Sequence, residues 1–168
     1  MPAPSLAALR DFETQLDTVL ATVLLPYASA PYGFQVVGHD SSQPLTTPRL
    51  EFEISLGDPP GPQGSNLVRA DTGAQTAFSG TLALRLVYDQ LKIPAETLGA
   101  ARGSLRTLFS PETQTINATN LPYMDVCSLT EISSARARFR DEETEKLLSE
   151  WVTVWAFNLY IRPTAWPI

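Results

Sequence analysis

Apolar residues return along this chain at two periods, one helical and one of two residues. Leu6, Leu9, Phe12, Leu16, Val19, Leu20 and Val23 recur at helical spacing, with Arg10, Glu13, Asp17 and Thr18 on the other side. This spacing predicts an amphipathic helix over about 6–24, with Ser5 as its N-cap and Pro26 ending it. Residues 26–48 are rich in Pro, Gly, Ser and Thr and read as an irregular connection with a short extended piece at 34–37. Over 49–56, Leu50, Phe52, Ile54 and Leu56 alternate with Glu51, Glu53 and Ser55, the cleanest strand pattern in the chain. A second strand is predicted at 78–88, with Leu82, Leu84 and Leu86 on one side and Thr81, Ala83, Arg85 and Val87 on the other. Helical spacing reappears over 95–109, where Leu98, Ala101, Leu105, Leu108 and Phe109 form a stripe. Gly99 and Gly103 weaken that helix and are expected to let a neighbour pack closely. A long strand over 123–139, bent near Ser133-Ser134, and a connection at 141–148 lead to a last strand at 150–163.

That last strand organises the expectation. Trp151, Thr153, Trp155, Phe157, Leu159 and Ile161 share one face, and Val152, Val154, Ala156, Asn158 and Tyr160 the other. Aromatic and β-branched residues on both faces predict a central strand with at least one face covered by helices, and Trp155 in the core. The element order is helix-strand-strand-helix-strand-strand. It predicts an α+β fold: a mainly antiparallel four-stranded sheet with two helices, each strand pair a hairpin. One domain over 1–168 is expected, with a Pro/Gly-rich loop at 57–78 and a short C-terminal arm at 164–168 carrying Trp166 and Ile168.

Composition narrows the classes. With 168 residues and 43% hydrophobic residues, the chain can bury a core, and no apolar run approaches the ~20 residues of a membrane span. The first residues lack the basic and apolar blocks of a secretory signal. Cys127 is the only cysteine and reads as a buried structural thiol, so an internal disulfide is impossible and a reducing compartment fits. The Asn117-Ala118-Thr119 sequon then has no use. The net charge is −6, and Arg136, Arg138 and Arg140 are the one basic cluster. Asp141, Glu142, Glu143 and Glu145 follow at once, which reads as a polar hairpin tip rather than a phosphate site.

Candidate chemistry is sparse. Glu51 and Glu53 sit about 7 Å apart on one side of a strand, where paired carboxylates do acid–base work or simply face water. His39-Asp40 is a possible catalytic pair in a polar loop. A small intracellular enzyme or ligand-binding module built on His39 and Glu51/Glu53 is the alternative reading. No second ligand stands at metal-like spacing, and no glycine loop precedes a phosphate-binding helix, so no metal or cofactor is expected. Trp166, in a Pro-flanked arm, either folds back on its own core or docks on a neighbour.

Three segments carry a family resemblance: 47–57 (TPRLEFEISLG), and the pairing of 121–131 (LPYMDVCSLTE) with 152–167 (VTVWAFNLYIRPTAWP). With the opening helix and the element order, they resemble the tail-terminator and tail-completion proteins of bacteriophages and prophages. The Pro/Gly-rich insertion at 57–73 departs from that pattern. The resemblance implies an α+β subunit of a homo-oligomeric ring, commonly a hexamer, assembled in the bacterial cytoplasm and located in the virion tail or neck. Such a ring terminates the tail tube, meets tail-tube and head-completion proteins, and lets DNA pass without specific binding. It implies no catalytic residue, no cofactor and no membrane. Candidate interface residues are Trp166, Ile168, Arg136, Arg138 and Arg140.

Overall fold

The computed structural model of the chain describes residues 6–38, 41–56, 67–70, 73–109 and 124–161. The apolar stripe of helix α1 (Leu6–Leu24) becomes contact: Leu16, Val19, Leu20 and Leu24 are buried, and Asp17 and Thr18 exposed. Pro26 has no amide hydrogen to extend the ladder, and the chain tightens into a 3-10 turn over Leu25–Ala28. Tyr27, Tyr32 and Phe34 then stack in series, with centroids 5.3 and 6.5 Å apart. Among the described residues, no helix is long and apolar enough to cross a membrane.

The strands are β1 (Gln35–Gly38), β2 (Arg49–Leu56), β3 (Leu67–Ala70), β4 (Gly73–Tyr88), β5 (Met124–Arg140) and β6 (Leu147–Ile161). Helix α2 (Ala95–Leu108) lies between β4 and β5 in sequence. The fold is α+β, but the sheet differs from the expected four antiparallel strands. It has six strands in the order β1-β2-β4-β6-β5, with β3 also paired to β4. β1 runs parallel to β2, from Gln35↔Arg49 to Gly38↔Phe52, and the other pairings are antiparallel. The sheet is therefore mixed.

Both extra strands are short pieces whose pairing the local pattern hides. The extended piece expected at 34–37 is β1, held to the start of β2 by the main chain and by Gln35. That side chain accepts from Thr46 N–H at 2.7 Å and donates to the Pro44 carbonyl at 3.0 Å. The expected loop at 57–78 contains β3 and the first residues of β4, paired from Leu67↔Thr76 to Ala70↔Gly73. Leu67 pairs with Thr76 and Val68 with Gln75, an antiparallel ladder that the high Gly and Pro content nearby obscures in the sequence. The rest of that segment, 57–66 and 71–72, lies outside the described residues.

Face assignment follows register. Leu86, Leu84 and Leu82 stand opposite Leu50, Phe52 and Ile54 on β2, and opposite Trp151, Thr153 and Trp155 on β6. Directly opposed residues share a face, so this row is one continuous surface. Both helices cover it: Leu16 and Leu20 from α1 and Leu98, Ala101, Leu105 and the following Phe109 from α2 join these strand residues in one core. β6 is central, as its two apolar faces predicted, between β4 and β5. Trp155 is 4% exposed, with Phe109 tilted 5.4 Å away.

One local expectation needs correction. Gly99 and Gly103 do not serve close packing, because a Cβ at either position would meet nothing within 4 Å. They lie on the solvent side of α2. The bend of β5 expected near Ser133-Ser134 is present as a register shift between Glu131 and Ser133, and a second shift lies earlier, between Cys127 and Thr130. The shifts turn Leu129 inward, buried, and leave Ile132 58% exposed.

Candidate functional site

The β5–β6 hairpin is closed at its tip by Asp141. Its carboxylate accepts from the Thr144 hydroxyl at 2.6 Å, and its N–H donates to the Lys146 carbonyl at 2.9 Å. Glu145 takes the left-handed conformation, with φ of 55°, that the reversal requires. The Thr144 hydrogen bond above all holds the Asp141 carboxyl below its usual range. This turn sets the register that places Arg136 opposite Trp151, Arg138 opposite Ser149 and Arg140 opposite Leu147. All three arginines therefore project to the helix side of the sheet, on the strand at its border.

Helix α2 adds two more. Arg102 and Arg106, four residues apart, share one side of the helix. The Arg102 guanidinium stacks 3.1 Å from the centroid of the Trp151 ring, and Arg136 lies 4.9 Å from the same ring. Two cations thus lie over the indole, whose π-system attracts their charge. Ser134 Oγ accepts from Arg102 and, at 3.0 Å, from Trp151 Nε1. Arg106 makes a two-point pair with Glu131, at 3.0 and 2.9 Å. Arg138 donates to Gln90 at 3.0 Å.

The strip is positively charged beyond what it neutralises. Burial, with the neighbouring charges of Arg106 and Arg136, holds the Arg102 pKa below its ordinary value, against the pull of Glu131. Arg102 Nε is buried with no hydrogen-bond partner among the described residues. Arg106, by contrast, is pushed up by its bond to Glu131. Such an arrangement favours an anionic or carboxylate-bearing surface placed against it.

The other candidates fare differently. Trp166, Ile168, His39 and Asp40 lie outside the described residues, as do the side chain of Cys127 and the sequon at 117–119. Glu51 is engaged: Arg85 Nη1 donates to it at 2.8 Å, and Arg49 Nε stands 3.6 Å away. Arg85 also pairs with Glu150 and lies 5.1 Å from the Phe139 ring. Burial pushes the Arg85 pKa down, but the Glu150 hydrogen bond and both carboxylates outweigh it, so the shift is upward. Glu53, two residues on, is exposed on the same side. The gap between α2 and the sheet, lined by Leu84, Leu105 and Trp155, is about 10 Å³, room for at most a water. Among the described residues, no group of three or more histidine, cysteine or acidic side chains is placed to hold a metal ion.

Reading the sequence singled out the three β5 arginines but missed Arg102, Arg106 and Trp151 as their neighbours. The signal was present in the i, i+4 arginines beside the α2 apolar stripe. It became usable only with the register that sets Arg136 against Trp151.

No protein-family model matches the chain, and no curated protein does. One solved structure, whose name describes no activity, aligns over 95% of this chain and 97% of its own, at 12% identity and a TM-score of 0.43.

Proposed function

We propose that the chain is a structural subunit of a phage or prophage tail or neck, forming a homo-oligomeric ring that terminates the tail tube and joins it to the head. The observation that carries this reading is the border of the sheet. β5 is long, pairs only with β6 among the described residues, and presents a row of exposed arginines. A solvent-facing strand of this length is a template for another chain unless it is covered or charged. Here two of the charges come with a support: Arg136 lies over Trp151, itself bonded to Ser134, and Arg138 donates to Gln90. Ordered charge on a strand border suits specific association better than mere solubility, since a flexible lysine row would serve solubility as well.

The segments at 47–57, 121–131 and 152–167 that resemble tail-terminator proteins support the same reading, and that resemblance supplies the ring and its six-fold habit. The net charge of −6 suits a ring through which DNA passes without being gripped. Its location is then the virion tail or neck. Negative-stain electron microscopy of the purified chain tests the reading: rings with a central hole are expected. A strictly monomeric protein at all concentrations, with no particle-associated form, would overturn it.

A further inference from the structure

An open groove of about 280 Å³ lies along the β5 border, lined by Tyr88, Gln90, Arg136, Ala137, Arg138 and Ser149. Register builds it: Tyr88, Ser149 and Arg138 stand in one cross-strand row, and Trp151 and Arg136 in the next. Its polar side chains are rich in hydrogen-bond donors. Arg138 uses one of its five N–H groups on Gln90 Oε1, at 3.0 Å. Arg136 meets the Trp151 ring, 4.9 Å from its centroid, a contact of charge with ring that needs none of its N–H groups. Gln90 Oε1 also accepts from the Ser149 hydroxyl at 3.5 Å, the outer limit of a hydrogen bond, which leaves the Gln90 amide N–H groups for another partner. Among the described residues, no carboxylate lines the groove. Glu131 is committed to Arg106, Asp89 accepts from Leu91 N–H at 3.0 Å, and Glu150 pairs with Arg85. Asp141, Glu142 and Glu143, which argued against a phosphate site in the sequence, line a different cleft together with Arg140.

We infer that this groove binds the dianionic head of a small phosphate monoester, held between the guanidinium groups of Arg136 and Arg138. Two residues apart on one face of a strand, these side chains start roughly 7 Å from each other. Both are long enough to converge, so one tetrahedral group can take a pair of N–H donors from each. Charge decides among the anions. Two arginines with no carboxylate between them match the roughly −1.5 to −2 charge of a phosphate monoester at neutral pH. A carboxylate or a phosphodiester brings one charge and two free oxygens, enough for a single fork. Arg102 adds to the demand. It stacks on the same indole as Arg136, and burial, with the charges of Arg106 and Arg136, outweighs Glu131 and holds its pKa below the ordinary value. An incoming dianion offsets that crowding of cations. The volume, about 280 Å³, is close to the ~300 Å³ at which small-ligand sites begin. It admits the phosphate and the first atoms of the alcohol that carries it. The site stands whether or not the chain forms a ring.

Isothermal titration of the full chain with methyl phosphate, at constant ionic strength, tests this. Saturable binding is expected, with dimethyl phosphate and acetate, both singly charged, weaker by about tenfold or more. The second ionisation of a phosphate monoester lies near pH 6, so going from about pH 7.5 to about pH 5.5 leaves roughly a quarter of it dianionic and should weaken binding about fourfold. Sulfate, doubly charged at both values, should hold its affinity. Arg138→Gln should weaken methyl phosphate about tenfold or more, the loss of a charged hydrogen-bonding partner, and Arg136→Gln likewise. Arg138 and Arg140 are both exposed on β5. Arg140→Gln therefore removes the same charge outside the groove, and should change the affinity by less than about twofold. Thermal melts confirm that each variant folds. No saturable binding at millimolar methyl phosphate overturns the site. So does equal binding of acetate or dimethyl phosphate. An Arg140→Gln loss as large as that of Arg138→Gln also overturns it, because the attraction then belongs to the whole arginine row and not to the groove.

Discussion

Single residues carry the clearest energetic expectations. Trp155 is enclosed by the sheet and Phe109, so Trp155→Ala should cost about 3–5 kcal/mol, the range for deleting a buried large aromatic. Urea denaturation measures this, and a loss under about 1 kcal/mol would mean the side chain is not packed as described. Tyr27 gives a pH dependence. Burial first, then the nearby Tyr32, raise its hydroxyl pKa, against a hydrogen bond with Ser104. The folded pKa lies above the unfolded one, so the folded state holds the proton more tightly. The associated stability is complete below about pH 10 and is lost as pH rises through the folded value. The wild-type melting temperature should therefore fall more steeply above about pH 10 than that of Tyr27→Phe; parallel curves would contradict the assignment. Burial at these positions was legible, because alternation and helical spacing mark the inner face of each element. Partnership was not. Glu51 reads alone as a solvated carboxylate, and only the register that brings Arg85 and Glu150 beside it reveals an ion-pair network.

Whole elements were legible where their period was long. α1 and α2 have the spans that their apolar spacing predicts, and β2 has the alternation of its sequence. Short strands were not, because four residues cannot establish a period. β1 exists as a strand through its parallel ladder with β2, and β3 through its reversal onto β4. The glycines of α2 were misread for a related reason. A small residue in a helix signals either close approach or nothing, and sequence does not separate the two. Since no atom stands near either position, Gly99→Ala and Gly103→Ala should each stabilise by about 1 kcal/mol, the helix-propensity difference. Their effects should add, since neither site has a tertiary contact to share. Thermal melts of the single and double variants check this; destabilisation by either would point to a hidden contact.

At the scale of the molecule, the strand order was the part least written in the sequence. Neighbouring strands in the chain suggested two separate hairpins, yet the join between the halves is β4 against β6, thirteen residue pairs from Thr76↔Ile161 to Tyr88↔Ser149. Such pairing joins distant segments, and no local pattern encodes it. The position of β6 also has a consequence in time. A ribosome delivers the chain from its N-terminal end, so β4 and β5 emerge before the strand that belongs between them. Until β6 follows, each shows an open border and an apolar face, the condition in which nascent chains invite chaperones or mispair. Folding should therefore be withheld through most of synthesis and then completed at once. Chains stalled on the ribosome with β5 free of the exit tunnel but β6 still inside it should be cut readily by protease across β4, whereas chains released past Ile161 should resist. Early protection would mean that β4 finds a substitute partner, and that the final strand displaces it rather than filling a gap.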